Sequence, residues 1–508
     1  MTQKYIEKIL TARVYDVATE SPLDLAKRLS VRLNNRILLK REDLQPVFSF
    51  KLRGAYNKLY QLLQAGELKG VIAASAGNHA QGLALAAQKM GQKAVIVMPK
   101  TTPRIKVDAV KSYGAKAVLF GDTYDEASEY AYELAEKEGL SFIHPYDDVD
   151  VIAGQGTIGM ELIRQYPEPI DAVFVPVGGG GLLAGVSAFI KYLRPEVKII
   201  GVEPEDAASM TRALEKGRRV ILNEVGIFAD GVAVKQVGKE TFRVARKTVD
   251  AMITVSTDEI CAAIKDIFDD TRSIMEPAGA LAVAGLKKYV EQNQLSEQTF
   301  IAINSGANMN FDRLRHVSER AELGEHREGL IAVTIPEKPG SFRRFCNAIG
   351  KRGITEFNYR YADDSDAHVF AGIKLVEGEQ EMEQLVAKLR EKAYPVLCLT
   401  DNEVAKMHVR YMVGGQVPDL ANEVLYRFEF PERPGALLNF LTQIGDRWNI
   451  SLFHYRNHGA AYGRVLVGLQ VPDGDRRALK KFLQTLGYRW WEETDNLAYR
   501  TFLDSRTT

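Results

Sequence analysis

The first third of the chain repeats one unit: a short β-branched run, a turn, an amphipathic stretch ending at glycine, then another run. GVIAAS (70–75) reads as a strand and HAQGLALAAQKMG (79–91) as a helix ending at Gly91. KAVIVMP (93–99) is the next strand, and PRIKVDAVKSYG (103–114) the next helix. AKAVLF (115–120) and DEASEYAYELAEKEG (125–139) continue the rhythm. It resumes with DAVFVPVGGGG (171–181), a helix over 182–192 and KIIGVEP (198–204), and closes with FIAINSG (300–306). Alternation of this kind, with glycine at the helix ends, indicates parallel βαβ units from roughly Asp24 to Asn310. In open α/β sheets ligands bind at the carboxyl ends of strands, where helix N-termini present free amides. The glycine-rich turns after these strands are therefore where chemistry is expected.

Beyond about Glu325 the rhythm stops and an internal repeat begins. Pro336-Glu-Lys-Pro-Gly340 recurs 95 residues later as Pro431-Glu-Arg-Pro-Gly435, and Ile349-Gly350 recurs as Ile444-Gly445. Tyr359-Arg360 recurs 96 residues later as Tyr455-Arg456, after a one-residue insertion. Each copy reads as a strand (IAVTIPE; LYRFEFPE), a Pro-Gly turn, an amphipathic helix, further strands and a second helix. That is a duplicated α+β module of the ferredoxin-like kind, placed outside the catalytic rhythm and suited to regulation or assembly.

At 508 residues the chain exceeds one core. The boundaries read as 1–322 for the α/β region and 328–402 and 423–496 for the two modules. Lys+Arg and Asp+Glu balance at 66 each, which gives no electrostatic case for nucleic acid or an anionic membrane. Cys261, Cys346 and Cys398 are too few and too scattered for a disulfide framework or a zinc site, and fit a reducing compartment. The first residues carry Glu7, Asp16 and Glu20 without an apolar stretch, unlike a signal or transit peptide. No apolar run approaches the ~20 residues that span a bilayer. The expectation is a cytoplasmic enzyme.

Four segments carry the chemistry. The first is Ser49-Phe50-Lys51-Leu52-Arg53-Gly54-Ala55. A lysine is ordinarily a solvated surface residue, but one tucked beside apolar groups has a lowered pKa and serves as an amine nucleophile. The second, Ser75-Ala76-Gly77-Asn78, follows a strand and opens a helix. It reads as a plain N-cap, or as a small-residue turn whose amides hold a carboxylate. The third is Gly178-Gly179-Gly180-Gly181. Four glycines between strand and helix let the backbone wrap a phosphate. They match neither a P-loop nor G-x-G-x-x-G, which favours a monophosphate cofactor over ATP or a dinucleotide. The fourth, Asn304-Ser305-Gly306-Ala307-Asn308, ends the last strand, where Ser305 alone would pass for a turn residue.

In this order, Ser49–Ala55, Ser75–Gly82, Gly178–Leu182 and Asn304–Gly306 resemble the fold-type II pyridoxal-phosphate (PLP) family of serine/threonine dehydratases, along essentially the whole chain. The resemblance implies a tryptophan synthase β-like catalytic domain of two open α/β subdomains, followed by two ACT-like modules. It implies that Lys51 holds PLP through an imine and that Asn78 hydrogen-bonds the ring hydroxyl. The amides of Gly178, Gly179, Gly180 and Gly181 would cradle the phosphate, and Ser305 would face the pyridine nitrogen. Ser75, Ala76, Gly77 and Asn78 would bind the substrate carboxylate. The activity implied is β-elimination of water from L-threonine, giving 2-oxobutanoate and ammonia, with Lys51 as the base at Cα. Some relatives bind a cation through an acidic residue of a Val-Glu-Pro segment and a later aspartate. Here Glu203 is present but the later position is Ser209, so no metal is expected.

The same resemblance implies feedback inhibition by isoleucine, opposed by valine, and a homotetramer. Tyr359, Arg360, Tyr455 and Arg456 occupy equivalent repeat positions and are the effector-site candidates; they also read as strand residues packed in a module interface. Two other readings remain: a fold-type II enzyme acting on serine (a dehydratase or racemase), and a non-catalytic sensor on the same scaffold. An intact Lys51, Asn78 and four-glycine turn argue against the second.

Overall fold

Parallel strands covered on both faces are continuous apolar runs, and those of the first unit are: Val71–Ala74, Ala94–Met98 and Ala172–Pro176 are buried at every position. The computed structural model describes residues 2–66, 68–361, 366–417, 420–431, 436–444, 447–456 and 462–503. They fall into two compact units, one running to Ala321 and one from Glu322.

The first unit holds two open sheets. The smaller orders its strands Lys116–Leu119, Ala94–Met98, Val71–Ala74, Ser141–Phe142, all parallel. The larger orders Leu23–Leu25, Arg36–Arg41, Thr299–Asn304, Ala172–Pro176, Lys198–Pro204, Ala251–Val255, parallel except for the first, an antiparallel edge. These are the two α/β subdomains expected of fold type II. Local rules set the helix limits. Tyr124–Glu138 begins at a capping box between Thr123 and Glu126 and ends at Gly139, whose φ of 64° is left-handed. The apolar rhythm passes over Arg36–Arg41 because two of its buried positions are basic. Lys40 nevertheless lies wholly inside the unit, 2.5 Å from Glu161. Among the described residues no helix is long and apolar enough to cross a membrane.

The second unit is one eight-stranded sheet made of two βαββαβ copies. The first copy runs Glu328–Pro336, Ser341–Ile349, Ile354–Arg360, Asp366–Lys374, Glu379–Glu391, Val396–Cys398. The second runs Glu423–Pro431, Ala436–Ile444, Asn449–Arg456, Tyr462–Gln470, Arg476–Thr485, Arg489–Glu492. The copies join where Ile354–Arg360 pairs antiparallel with Asn449–Arg456, and the strand order is a palindrome about that pair. Helices of both copies cover one face, where Phe342, Phe345, Phe357, Phe428, Phe440 and Phe453 share a core. The first Pro-Gly turn ends at Gly340, whose φ of 83° is left-handed and which starts the first helix. The second, residues 432–435, and Gly445 lie outside the described residues.

Candidate active site

Three of the four segments singled out in the sequence sit just after the carboxyl end of a parallel strand, and the fourth follows one after a short 3-10 turn. Ser49–Lys51 lies downstream of Arg36–Arg41, Ser75–Gly77 follows Val71–Ala74, Gly178–Gly180 follows Ala172–Pro176, and Ser305 follows Thr299–Asn304. Lys51 opens the helix Lys51–Gln64. Its start is tied to the last strand: Ser49 bridges Gly306, and the Phe50 amide donates to the Ser305 carbonyl at 3.3 Å.

Lys51 is half-buried. Its Nζ donates to the Pro145 carbonyl at 3.1 Å and lies 5.4 Å from the centre of the Phe50 ring. Loss of water around the amine pulls its pKa down to about 8, and attraction to Glu276 restores only part of that. Two positions on, Arg53 is buried among Glu42 and Glu161 at 2.6–2.8 Å and is held firmly charged. The same helix thus carries one cation locked in ion pairs and one amine poised near neutrality. His79 is buried against the Ile143 carbonyl, 2.9 Å away, and burial pushes it down to about 3, so the imidazole is neutral.

Pro145 leads to Tyr146, which packs on the glycine turn. A Cβ on Gly179 would run into the Tyr146 ring, and Gly180 takes φ 93° as it starts the helix Gly181–Leu193. Side chains are excluded there by space and by backbone conformation. The Gly179 carbonyl accepts from Thr241 Oγ1 at 2.7 Å and from the Gly238 amide at 3.2 Å, which fixes the turn. The amides of Gly178, Gly179 and Gly180 donate to no protein acceptor among the described residues. Free amides at a helix N-terminus, held open by backbone, suit a phosphate group. Ser305 is buried, with its Oγ 3.3 Å from the Ala278 carbonyl. Beside it the Ser49 hydroxyl and the Asn304 carboxamide are buried without partners. Buried polar atoms left this way are the mark of a ligand site.

The Ser75–Asn78 turn meets this cleft from the smaller sheet. Ser75 Oγ accepts from the Gly77 amide at 3.3 Å. The Asn78 side chain donates to Glu276 Oε1 at 2.5 Å and accepts from Asn308 at 2.7 Å. Glu276 escaped the sequence reading: a glutamate before Pro277 looks like an ordinary helix start, and only tertiary packing carries it to Asn78. Glu203 accepts from the Met210 amide (2.7 Å), the Thr211 amide (2.8 Å) and the Thr211 hydroxyl (2.7 Å), capping Ser209–Glu215. Ser209, the first residue of that helix, is buried beside the Glu203 carboxyl.

In the second unit the effector candidates separate by face. Tyr359 and Tyr455 point into the core under the helices, and Tyr359 donates to Glu337. Arg360 and Arg456 sit on the opposite strand face. Arg360 pairs with Glu423 at 2.5 Å and Arg456 with Glu356 at 3.3 Å, each crossing to the other copy. Strand alternation explains the split. Near Glu337, a small cleft is lined by Lys338, Gly340, Phe342, Arg343, Trp448 and Asn449.

A family model described as pyridoxal-phosphate dependent enzyme matches residues 14–306. One described as the C-terminal regulatory domain of threonine dehydratase matches twice, at 319–409 and 415–503. The chain is 56% identical to the biosynthetic L-threonine dehydratase IlvA of Burkholderia multivorans, covering 98% of this chain and 99% of that one. It is 51% identical to its Escherichia coli counterpart, with 98% and 97% coverage. Among solved structures, the processed form of threonine deaminase isoform 2 from Solanum lycopersicum matches with a TM-score of 0.62 and 54% identity, over 63% of this chain and 88% of that one.

Proposed function

Because the chain belongs to the threonine dehydratase family of pyridoxal-phosphate-dependent enzymes, we propose that it converts L-threonine to 2-oxobutanoate and ammonia, the first step of isoleucine synthesis. The water lost in elimination is regained when the product hydrolyses, so the net loss is ammonia. The observation that carries the reading is the Lys51 amine, held at about 8 in a cleft that also gathers the four-glycine turn, Asn78 and Ser305.

The residues fit the cofactor. Lys51 would attach it, the amides of Gly178–Gly181 would hold its phosphate, Asn78 its ring hydroxyl and Ser305 its ring nitrogen. The uncommitted amides and the unpartnered Ser49 and Asn304 support this assignment. When bound, pyridoxal phosphate supplies the electron sink that makes the substrate Cα proton acidic. Lys51 Nζ would be the group to take that proton, since an amine with a pKa of about 8 keeps a useful neutral fraction at neutral pH. Ser305 would offer the ring nitrogen a neutral hydroxyl rather than a carboxylate that would hold it cationic, which would favour prompt loss of the β-hydroxyl. Ser75–Asn78 receive the substrate carboxylate on a small-residue turn. No side chain of this constellation supplies a metal ligand set, and none is assigned.

The catalytic domain is taken as 1–322 and the regulatory modules as 328–402 and 423–496, in a cytoplasmic homotetramer. Isoleucine is assigned to the second unit as inhibitor, with valine opposing it. Two ligands one methylene apart differ by ~1–3 kcal/mol in a packed pocket, enough to bias a balanced equilibrium. The cleft beside Glu337 supports this, since Tyr359 and Asn449 from the two copies both bond that carboxylate. Tyr455, Arg360 and Arg456 would act by holding the copies in register. The test is 2-oxobutanoate formation from threonine against pyruvate from serine, with isoleucine titrated into each. Preference for serine, or indifference to isoleucine, overturns the respective half of the proposal.

A further inference from the structure

The Asn78 carboxamide is held at both ends. Asn308 Nδ2, itself anchored on the Val47 carbonyl at 2.8 Å, donates to Asn78 Oδ1 at 2.7 Å. Asn78 Nδ2 donates to Glu276 Oε1 at 2.5 Å. A donor at the oxygen and a carboxyl at the nitrogen allow only one flip of the amide. One Nδ2 hydrogen is then engaged by Glu276 and the second remains.

Glu276 is placed by backbone. It precedes Pro277 at the start of the helix Pro277–Asn293, and its amide donates to the Gly306 carbonyl at 3.2 Å. A Cβ on Gly279 would collide with that carbonyl, and one on Gly306 would press on the Glu276 carboxyl. The charged groups that face it are few. The Lys51 amine lies across the cleft, and Asp230 lies on another side, paired with Lys106 at 2.8 Å and Arg313 at 3.5 Å. With 6% exposure and no ion pair among the described residues, the carboxyl is pushed up to about 7 by burial.

We propose that Glu276 is a positioning residue for the elimination: its carboxyl, accepting from Asn78 Nδ2 while Asn308 donates to Asn78 Oδ1, fixes the Asn78 carboxamide so that one Nδ2 hydrogen is kept for the cofactor. The inference rests on the reading that Lys51 carries pyridoxal phosphate. An ionised Glu276 favours the ammonium form of Lys51, the form that cannot accept a proton from substrate. A protonated Glu276 still accepts from Asn78 through its carbonyl oxygen and leaves the amine neutral.

The experiment compares Glu276→Gln, Glu276→Ala and Lys51→Ala with the parent full-length holoenzyme. Glu276→Ala is expected to lose about tenfold in kcat, the scale of one hydrogen bond to a charged group, with KM for threonine changed less than about threefold. Glu276→Gln keeps an acceptor and should recover most of that rate, while losing the step near pH 7 in the kcat profile and in the absorbance of the resting enzyme. In cofactor-free protein, an infrared band of a buried protonated carboxyl should bleach as pH rises through 7 and be missing from Glu276→Gln. A parental pH profile in Glu276→Gln, or a loss there as deep as in Glu276→Ala, overturns the proposal. If the alanine variant does not fold, the glutamine profile and the infrared band decide. Imine absorbance that survives in Lys51→Ala overturns the parent reading instead, whatever the Glu276 variants do.

Discussion

Two desolvated basic side chains divide the molecule's labour. Lys51, in the first unit, has a carbonyl and an aromatic ring for company and no carboxylate within ion-pair distance among the described residues. Arg410, in the second, is 3% exposed and ringed by carboxylates, 2.6 Å from Glu356 and 3.4 Å from Glu328. Burial penalises both charges. At Lys51 only the attraction of Glu276 offsets the penalty, and only in part, so the amine gives up its proton near 8 and becomes reactive. At Arg410 the partners do offset it, so the charge is fixed and serves only to hold strands together. Reactivity and rigidity here are the same physics with and without a counter-ion.

The largest effect should come from removing the lone amine. Lys51→Ala leaves no base at Cα and no attachment for the cofactor, and should cut 2-oxobutanoate formation by about 10³-fold or more. Circular dichroism should be near parental, because a half-buried lysine without ion pairs holds little of the fold. An equally dead Arg53→Lys with intact absorbance would blur the distinction drawn between the two cations of that helix.

Arg410→Ala probes the opposite case. It strands Glu356 and Glu328 in a dry sheet, which costs about 3–5 kcal/mol when one partner of a buried pair is deleted. Unfolding of the second unit should move to lower denaturant while threonine turnover persists and its response to isoleucine weakens. A variant as stable as the parent would mean that Arg456, 3.3 Å from Glu356, suffices alone.

A third case lies between these: a buried acid with a weak partner. Glu276 has a folded pKa of about 7 against 4.5 unfolded. The native state therefore binds the extra proton between those values. The stability from that proton is complete below pH 4.5 and lost as pH rises through 7. Glu276→Gln escapes the loss, so its melting temperature relative to the parent should climb between pH 5 and 8, by the equivalent of at most about 2–3 kcal/mol. A constant difference would place the carboxyl in water.

How far the chain could be read in advance follows from the same contrast. Lys51, the Gly178–Gly181 run and Ser305 lie in local patterns, each at a strand end, and the 95-residue offset exposes the duplicated modules. Glu276, Tyr146 and Asn308 act only through residues 198, 33 and 230 positions away in sequence, and no local pattern encodes such pairings. The effector candidates show a subtler limit. Repeat alignment finds Tyr359 and Arg360 together, but neighbours on a strand point to opposite faces, so the two tyrosines share one face and the two arginines the other, and the four do not line one pocket.

The smallest effect tests that last point. Tyr359 is buried, its ring 4.7 Å from that of Phe342 and its hydroxyl on Glu337. Truncation to alanine would empty part of the core at about 3–5 kcal/mol and confuse sensing with folding. Tyr359→Phe keeps the ring and removes one hydrogen bond, worth ~1 kcal/mol. Glu337 then loses one of the bonds that tie it to the first copy while keeping Asn449 from the other, so the concentration of isoleucine for half-inhibition should rise roughly fivefold. Arg360→Lys, on the far face, should move it less. If the arginine variant shifts inhibition more than the tyrosine variant, the sensing face is the one with the crossed ion pairs, and the cleft beside Glu337 is packing.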